Sequence, residues 1–197
     1  MPMNVQPVTL TGAVVRLEPL SQDYADELYQ VCQDPEIWRY KPLDASRSPE
    51  AFRAMIATAL AAQEAGQQLP FVILDRNTGN AIGSTRYLNI MPTDYGLEIG
   101  WTWLMRSVWR TAVNTECKYL LLRHAFETLG AIRVQLKTDS RNERSQRAIE
   151  RLGAVREGIL RKQMILESGY QRDTVMYSII DTEWPAVKAG LEAKMSR

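Results

Sequence analysis

Between Leu69 and Leu136 the sequence runs three β-type stretches in close succession, then a long amphipathic helix, then a further β-type stretch. This order restricts the fold more than any other feature. Phe71 to Leu74 and Ala81 to Ile90 flank Asp75-Arg76-Asn77-Thr78-Gly79, a run of turn-forming residues, and so read as a hairpin. Pro92-Thr93-Asp94 breaks the second stretch and Gly96 to Trp101 resumes it, giving three consecutive antiparallel strands. A helix follows from about Val113 to Leu129, with Leu121, Leu122, Ala125, Phe126 and Leu129 on its apolar face and Gly130 as its stop. Beyond it Ile132, Val134 and Leu136 alternate with Arg133, Gln135 and Lys137. Strand, helix, strand implies a parallel pairing, so the segments at Glu98 and Leu136 form the one clear parallel crossover. A ligand is expected where such strands diverge at their carboxyl ends, and Trp101 to Asn114 and Thr138 to Ser145 should converge there.

The flanking segments complete a single layered domain. Val15, Leu17 and Pro19 alternate with Arg16 and Glu18 as a first strand. Ser21 reads as the cap of a helix through Tyr24, Leu28 and Val31 that Pro35 ends, and a second helix runs from Ser48-Pro49 to Gly66. Ser140 and Glu143 make a capping-box pattern for a helix that stops at Gly153. Strands at about Gly158 to Leu166 and Thr174 to Ile180 follow, then a last helix after Pro185. The pattern predicts an α/β (α+β) domain over residues 1–197, with a mixed, mostly antiparallel seven-stranded sheet and helices on both faces.

Twenty-four Lys and Arg against twenty-three Asp and Glu give a net charge of +1, so no global field draws the chain to nucleic acid or an anionic membrane. Any anionic ligand must be held locally. The start, Met1 to Val8, carries no basic region followed by an apolar stretch, and no apolar run approaches the roughly 18 residues of a membrane span, which predicts a cytoplasmic protein. Cys32 and Cys117 fall inside apparent helices without metal-ligand spacing, and a single His argues against zinc chemistry, so no metal is expected.

Four motifs in order resemble the GNAT family of N-acetyltransferases, over Leu10 to about Lys188. Gly12-Ala13-Val14-Val15-Arg16-Leu17-Glu18-Pro19-Leu20 resembles the family's opening strand, and Leu97-Glu98-Ile99-Gly100-Trp101 its fourth. Asn142-x-x-Ser145 leading to Leu152-Gly153-Ala154 resembles its asparagine-to-glycine helix. Gly169-Tyr170-Gln171-Arg172-Asp173, then Tyr177-Ser178 and Glu183-Trp184, resemble the RimJ/RimL branch of ribosomal-protein acetyltransferases. The resemblance implies transfer of an acetyl group from acetyl-CoA to a primary amine, an α-amino group of a protein N-terminus, peptide or small aminoacyl compound, by direct attack. Relatives of this kind often pair, so a homodimer is among the expected states.

The resemblance also distributes roles. Glu98 interrupts the apolar run Leu97, Ile99 and Trp101, where a buried carboxylate either pairs with an arginine such as Arg86 or serves as a general base acting through water. Ser145 becomes the acid for the departing thiolate, or is simply a polar residue of a first helical turn. Asn142 becomes a contact to pantetheine, and Trp101 lies at the cofactor cleft. The pyrophosphate loop departs from the family's glycine pattern: here it reads Trp109-Arg110-Thr111-Ala112-Val113-Asn114, with Ala112 and Asn114 in place of small residues. Every amide there can still donate, and Arg106 and Arg110 can meet phosphate. Trp38, Tyr40 and Arg86 are candidates for acceptor contact, with packing as the alternative for the aromatic pair beside Pro42. The departure leaves a second class open, a non-catalytic acyl-CoA-binding or regulatory protein.

Overall fold

Alternating apolar side chains pair the strands, and turn residues set their order. The computed structural model describes residues 2–196. Its strands are β1 (Leu10–Thr11), β2 (Val15–Pro19), β3 (Leu69–Asp75), β4 (Ala81–Met91), β5 (Gly96–Leu104), β6 (Arg133–Asp139), β7 (Val155–Ile165) and β8 (Gln171–Ile180). They form one sheet in the order β1-β2-β3-β4-β5-β6-β8-β7. All neighbours are antiparallel except β5 and β6, which run parallel as the crossover requires. The sheet therefore has eight strands rather than seven: Leu10–Thr11 is too short to show alternation and pairs only because the Gly12–Val14 turn folds it back on β2.

The helices are α1 (Ala25–Val31), α2 (Pro49–Glu64), α3 (Val113–Arg123), α4 (Glu143–Leu152) and α5 (Trp184–Met195). Leu28, Phe52 and Ile56 of α1 and α2 pack with Val72 and Leu74 of β3 on one face. Cys117, Leu120 and Leu121 of α3 pack with Leu97, Ile99, Leu136 and Tyr177 on the other, joined by Ile149 of α4 and Leu191 of α5. Among the described residues no helix is long and apolar enough to cross a membrane.

Three local details differ from the sequence pattern. Ser21 caps a short 3-10 turn, Gln22–Tyr24, and α1 begins only at Ala25. The helix expected to run to Leu129 changes to a π turn at His124–Thr128, where Leu129 N–H donates to the His124 carbonyl at 3.0 Å. His124 is buried there, stacked on Tyr87 at 6.3 Å. The cap of α4 is Asn142 rather than Ser140, because Asp139 accepts from the Arg141 N–H and forms a turn that delays the helix.

A carboxylate missed in the sequence fixes the start of the sheet to α3. Glu116 is buried and accepts from the N–H groups of Ala13, Val14 and Val15 at 2.7, 2.7 and 2.8 Å. It thereby satisfies the turn between β1 and β2 and seats the first turn of α3 against it.

Candidate functional site

Strands β5 and β6 hydrogen-bond over a short stretch, Gly96↔Arg133, Leu97↔Val134 and Glu98↔Gln135. Past Glu98 they part. β5 continues with β4 to Leu104, while Leu136 to Asp139 of β6 continue with β8. A bulge accompanies the parting: Trp101 has φ 52°, in the left-handed region, and Gly100 to Trp103 oppose Arg86 to Ser84 with one residue to spare. The extra residue reverses side-chain direction, so Leu97 and Ile99 join the α3 core while Trp103 joins the α1–α2 core.

Glu98 points to the α1–α2 face and is 1% exposed. The apolar neighbours that the sequence places beside it lie on the opposite face, and on its own face it stands across from Leu88 and bonds to polar side chains. Its Oε2 accepts from Asn89 Nδ2 at 2.8 Å and Gln135 Nε2 at 3.0 Å, and lies 3.1 Å from Lys137 Nζ. The ion pair is thus with Lys137, which shares the face with Gln135 on β6, and not with Arg86. Oε1 takes none of these bonds and borders Gly100, where a Cβ would stand 3.0 Å from it.

Arg86 instead donates to Gln68 Oε1 at 2.8 Å and lies over the Trp101 ring, 4.7 Å from its centre. Lys41 shares that ring at 5.7 Å and donates to the Thr102 carbonyl at 2.8 Å. Burial first, then the charges of Arg86, Lys118 and Arg172, pull the Lys41 pKa down from 10.5 to about 7. Across the sheet, Lys118 of α3 donates to the Thr102 hydroxyl, which also bonds that of Thr85 at 2.8 Å.

On the α3 side the loop before the helix leaves backbone donors open. Arg110 has φ 65°, a left-handed turn that aims the chain into α3. Thr111 Oγ1 donates to the Val108 carbonyl at 2.7 Å and accepts from Val113 N–H at 3.3 Å. The first backbone bond closes at Glu116 N–H, to the Ala112 carbonyl at 2.9 Å. Among the described residues the amides of Ala112, Asn114 and Thr115 have no partner, and they stand at the positive end of the helix dipole. Arg110 is exposed, whereas Arg106 is engaged by Asp34 at 3.1 Å.

At the tip of β6, Asn142 Oδ1 accepts from Ser145 N–H at 3.0 Å, which leaves the asparagine NH2 and the Ser145 hydroxyl free of bonds to each other. Both residues are half-buried. A polar cavity of about 320 Å³ lies beside them, lined by Glu36, Tyr40, Arg141, Asn142, Glu143 and Arg144. Arg141 holds buried Asp139 through two bonds, 2.9 Å to Oδ1 and 2.7 Å to Oδ2. Its guanidinium also lies 3.5 Å from the centre of the Tyr170 ring and 5.6 Å from that of Tyr40. Arg144 stacks on Trp109 at 3.7 Å, spanning from α4 to the loop before α3.

Past the fork between β5 and β6 the contacts link Arg86 with Trp101 on β5, Asn142 with Ser145 at the start of α4 and, through Arg144 on Trp109, α4 with the loop that holds the 110–114 amides; Tyr40 and Asn142 line one cavity. Trp38 does not join them. Its ring is 4% exposed, packs on Phe52 and Trp103, and donates to the Cys32 carbonyl at 2.8 Å. Asn89, Gln135, Lys137, Lys41 and Arg172 escape a linear reading because their partners lie on other strands. The one available signal was polar residues at the alternate positions of β6 and β8.

Known proteins resemble the chain in sequence and fold. The sequence profile described as an acetyltransferase (GNAT) domain matches residues 15–155. YoaA, an uncharacterized N-acetyltransferase of Bacillus subtilis strain 168, is 26% identical over 174 residues, 88% of this chain and 97% of that protein. A crystal structure from T. thermophilus, of a protein provisionally described as an acetyltransferase, is 42% identical. It covers 98% of this chain and 99% of that one, with a TM-score of 0.88. RimJ of Mycobacterium smegmatis, solved in complex with CoA-disulfide, shares the fold at a TM-score of 0.83 and 21% identity, covering 95% of each chain.

Proposed function

The chain belongs to the GNAT acetyltransferase family and is an acetyl-CoA-dependent N-acetyltransferase, and on that premise we propose that it acetylates an α-amino group by direct attack within the β5–β6 fork. The observation that carries this reading is the parting of the two strands immediately past Glu98, with a buried carboxylate at the point of parting and open amides at the start of the helix that follows β5.

The chemistry follows from these groups. The amides of Ala112, Asn114 and Thr115, with Arg110, suit a pyrophosphate, so the absence of the family's glycine is offset by backbone that is already free. The coenzyme's acyl arm then enters the fork beside Asn142. An incoming ammonium loses a proton to Glu98 through water, by way of the Oε1 atom that carries none of the three bonds at Oε2. The neutral nitrogen attacks the thioester carbonyl, and backbone N–H groups at the Trp101 bulge receive the negative charge that develops on its oxygen. Collapse breaks the C–S bond, and the Ser145 hydroxyl supplies a proton to the departing thiolate.

No protein nucleophile is required. Burial pushes the Cys32 thiol up to about 12 and the Cys117 thiol up to about 11, and both sit in the core away from the fork. Deprotonation at pH 7 costs about 1.4 kcal/mol for an α-amine of pKa near 8 and about 4.6 kcal/mol for a lysine near 10.4, so one water-relayed carboxylate suits the α-amine better. Fold neighbours described as ribosomal-protein-serine and ribosomal-protein-S5-alanine acetyltransferases support an amine-bearing acceptor such as a protein. Incubation with acetyl-CoA and a panel of α-amines and ε-amines, read as free thiol and acetylated product, tests the proposal. It holds if α-amines are acetylated faster at neutral pH, and fails if only ε-amines are, or if thiol is released without an acetylated amine.

A further inference from the structure

Four basic side chains gather round the Trp101 bulge, and none of them is in a direct ion pair with another described residue. Lys41 and Arg86 share the Trp101 ring, Lys118 reaches Thr102 from α3, and the charge of Arg172 is felt at Lys41 beside those of the other two. Their hydrogen-bond partners are neutral: the Thr102 carbonyl and hydroxyl, Gln68 Oε1, and for Arg172 the Met164 sulfur at 3.8 Å. Among the described residues no carboxylate stands within ion-pair distance of any of the four. The charges of Glu98 and Asp139 are felt at Arg172, but each of those acids is in contact with another cation, Glu98 with Lys137 and Asp139 with Arg141.

Two of the four carry a sharper sign of a missing partner. Arg86 and Arg172 are 6% and 5% exposed, and the Nε of each is buried without a hydrogen-bond partner. A buried guanidinium left short of bonds and of a contacting counter-charge is costly, and a ligand that supplies both lowers the cost. Both residues lie on the face of the sheet that carries Glu98. Arg86 is two residues from Leu88, the register partner of Glu98, and Arg172 is two residues from Thr174, the partner of Asp139.

This face is also roofed. The segment between α1 and α2 crosses to the β7–β8 turn, where Glu167 N–H donates to the Pro42 carbonyl at 3.1 Å and Arg47 meets the Glu167 carboxylate at 2.5 Å. The coenzyme's phosphates have their own donors, the open amides before α3 and exposed Arg110. The cations under the roof are therefore placed for the other substrate.

We propose that the acceptor is an anionic amine, whose carboxylate or phosphonate-like group seats between Lys41, Arg86 and Arg172 while its amine faces Glu98. The inference rests on the acetyl-transfer reading above and deepens it. A negative group drawn to the cations and an ammonium drawn to Glu98 orient a small zwitterion end to end, which fixes the amine for attack.

The test uses L-amino acids of each side-chain class, their aminophosphonate analogues and their carboxamides, each with acetyl-CoA and read as thiol release. At least one anionic series should exceed its carboxamide in kcat/KM by about tenfold or more, and the better of the two identifies the group. The carboxamide's amine is the less basic, so this preference runs against intrinsic reactivity. Arg86→Gln and Arg172→Gln should each shrink the ratio by about fivefold or more through the acceptor KM, with the acetyl-CoA dissociation constant within about threefold. In the wild type, the anionic probe with CoA present should raise the melting temperature where its carboxamide does not, a reading that needs no variant. Equal use or equal protection by carboxamides, a ratio that survives both substitutions, or a loss that appears as weaker acetyl-CoA binding overturns the anionic site. Thiol release with neutral amines alone overturns it and leaves acetyl transfer standing, whereas release with no amine at all overturns both.

Discussion

Replacing Glu98 by Gln removes a proton acceptor while changing little else. Oε2 anchors Asn89 Nδ2 at 2.8 Å, Gln135 Nε2 at 3.0 Å and Lys137 Nζ at 3.1 Å, and a carboxamide oxygen in the same place keeps all three donors. What is lost is the charge opposite Lys137, whose side chain is 21% exposed and can recruit water. That loss costs about 1–2 kcal/mol and lowers the melting temperature by roughly 2–8 °C, well short of unfolding. The effect on rate is larger. General-base catalysis contributes about 10²-fold, or 2.7 kcal/mol, which is the expected fall in kcat/KM for an α-amine at pH 7. Acetyl-CoA affinity should stay within about threefold, because none of the groups bonded to Glu98 belongs to the loop that carries the open amides.

The pH dependence separates this mechanism from a structural role. At pH 7 about one α-amine in ten is already neutral, against about one lysine-like amine in 2,500. The variant depends on that fraction, so its deficit should be greater for the ε-amine. By pH 9 it should nearly vanish for the α-amine while persisting for the ε-amine. Steady-state thiol release from pH 6.5 to 9.5 with both acceptors reads the pattern. An equal loss for both amines at every pH would refute the reasoning and return Glu98 to a sheet-bracing carboxylate.

Three further substitutions probe other parts of the account. Gly100→Ala would put a methyl group 3.0 Å from Glu98 Oε1 and 2.9 Å from Leu88 Cδ2, so turnover should fall by about tenfold with acetyl-CoA binding retained in calorimetry; full turnover would count against proton relay through that oxygen. Thr111→Pro deletes the hydroxyl that accepts from Val113 N–H and restrains Arg110, so acetyl-CoA should bind about tenfold more weakly, or 1.4 kcal/mol, and unchanged affinity would place the phosphates elsewhere. Lys41, held at about 7 rather than 10.5, binds fewer protons folded than unfolded between those values. Its penalty is full below pH 7 and is relieved as pH rises toward 10.5, so Lys41→Met should flatten the rise of stability across that window in thermal melts; an unaltered slope would show that its ammonium is not desolvated.

The sheet was legible wherever a strand was long enough to alternate and had one apolar face. Ile132, Val134 and Leu136 declared β6, and the helix before it made the parallel pairing unavoidable. Leu10–Thr11 had no length over which to alternate, and the π turn after Arg123 keeps its apolar side chains buried as a straight helix would. Within the site, Glu98 stood out as a carboxylate between Leu97 and Ile99, yet its partners could not be read, because Asn89, Gln135 and Lys137 reach it across the sheet. Arg86 was one arginine that could have paired with Glu98, but Gln68 and the Trp101 ring hold it instead. For Trp38 the sequence left acceptor contact and packing open, and the structure shows packing, because the α1–α2 segment folds back over Phe52 and Trp103. Unpaired charge is a property of the assembled face, so the cations round Trp101 left no trace along the chain.

The central claim, direct passage of the acetyl group from coenzyme A to an amine in the β5–β6 fork, is tested most directly by a rapid-quench single turnover. Enzyme in excess over acetyl-labelled acetyl-CoA is mixed with the best acceptor from the amine panel, and label is followed by mass spectrometry on both protein and acceptor. The account predicts label on the acceptor nitrogen at the rate of thiol release, with none on the protein at any time, consistent with Cys32 and Cys117 being buried with raised pKa values. Label that appears first on the protein and then moves to the amine, or thiol release without labelled amine, would contradict it.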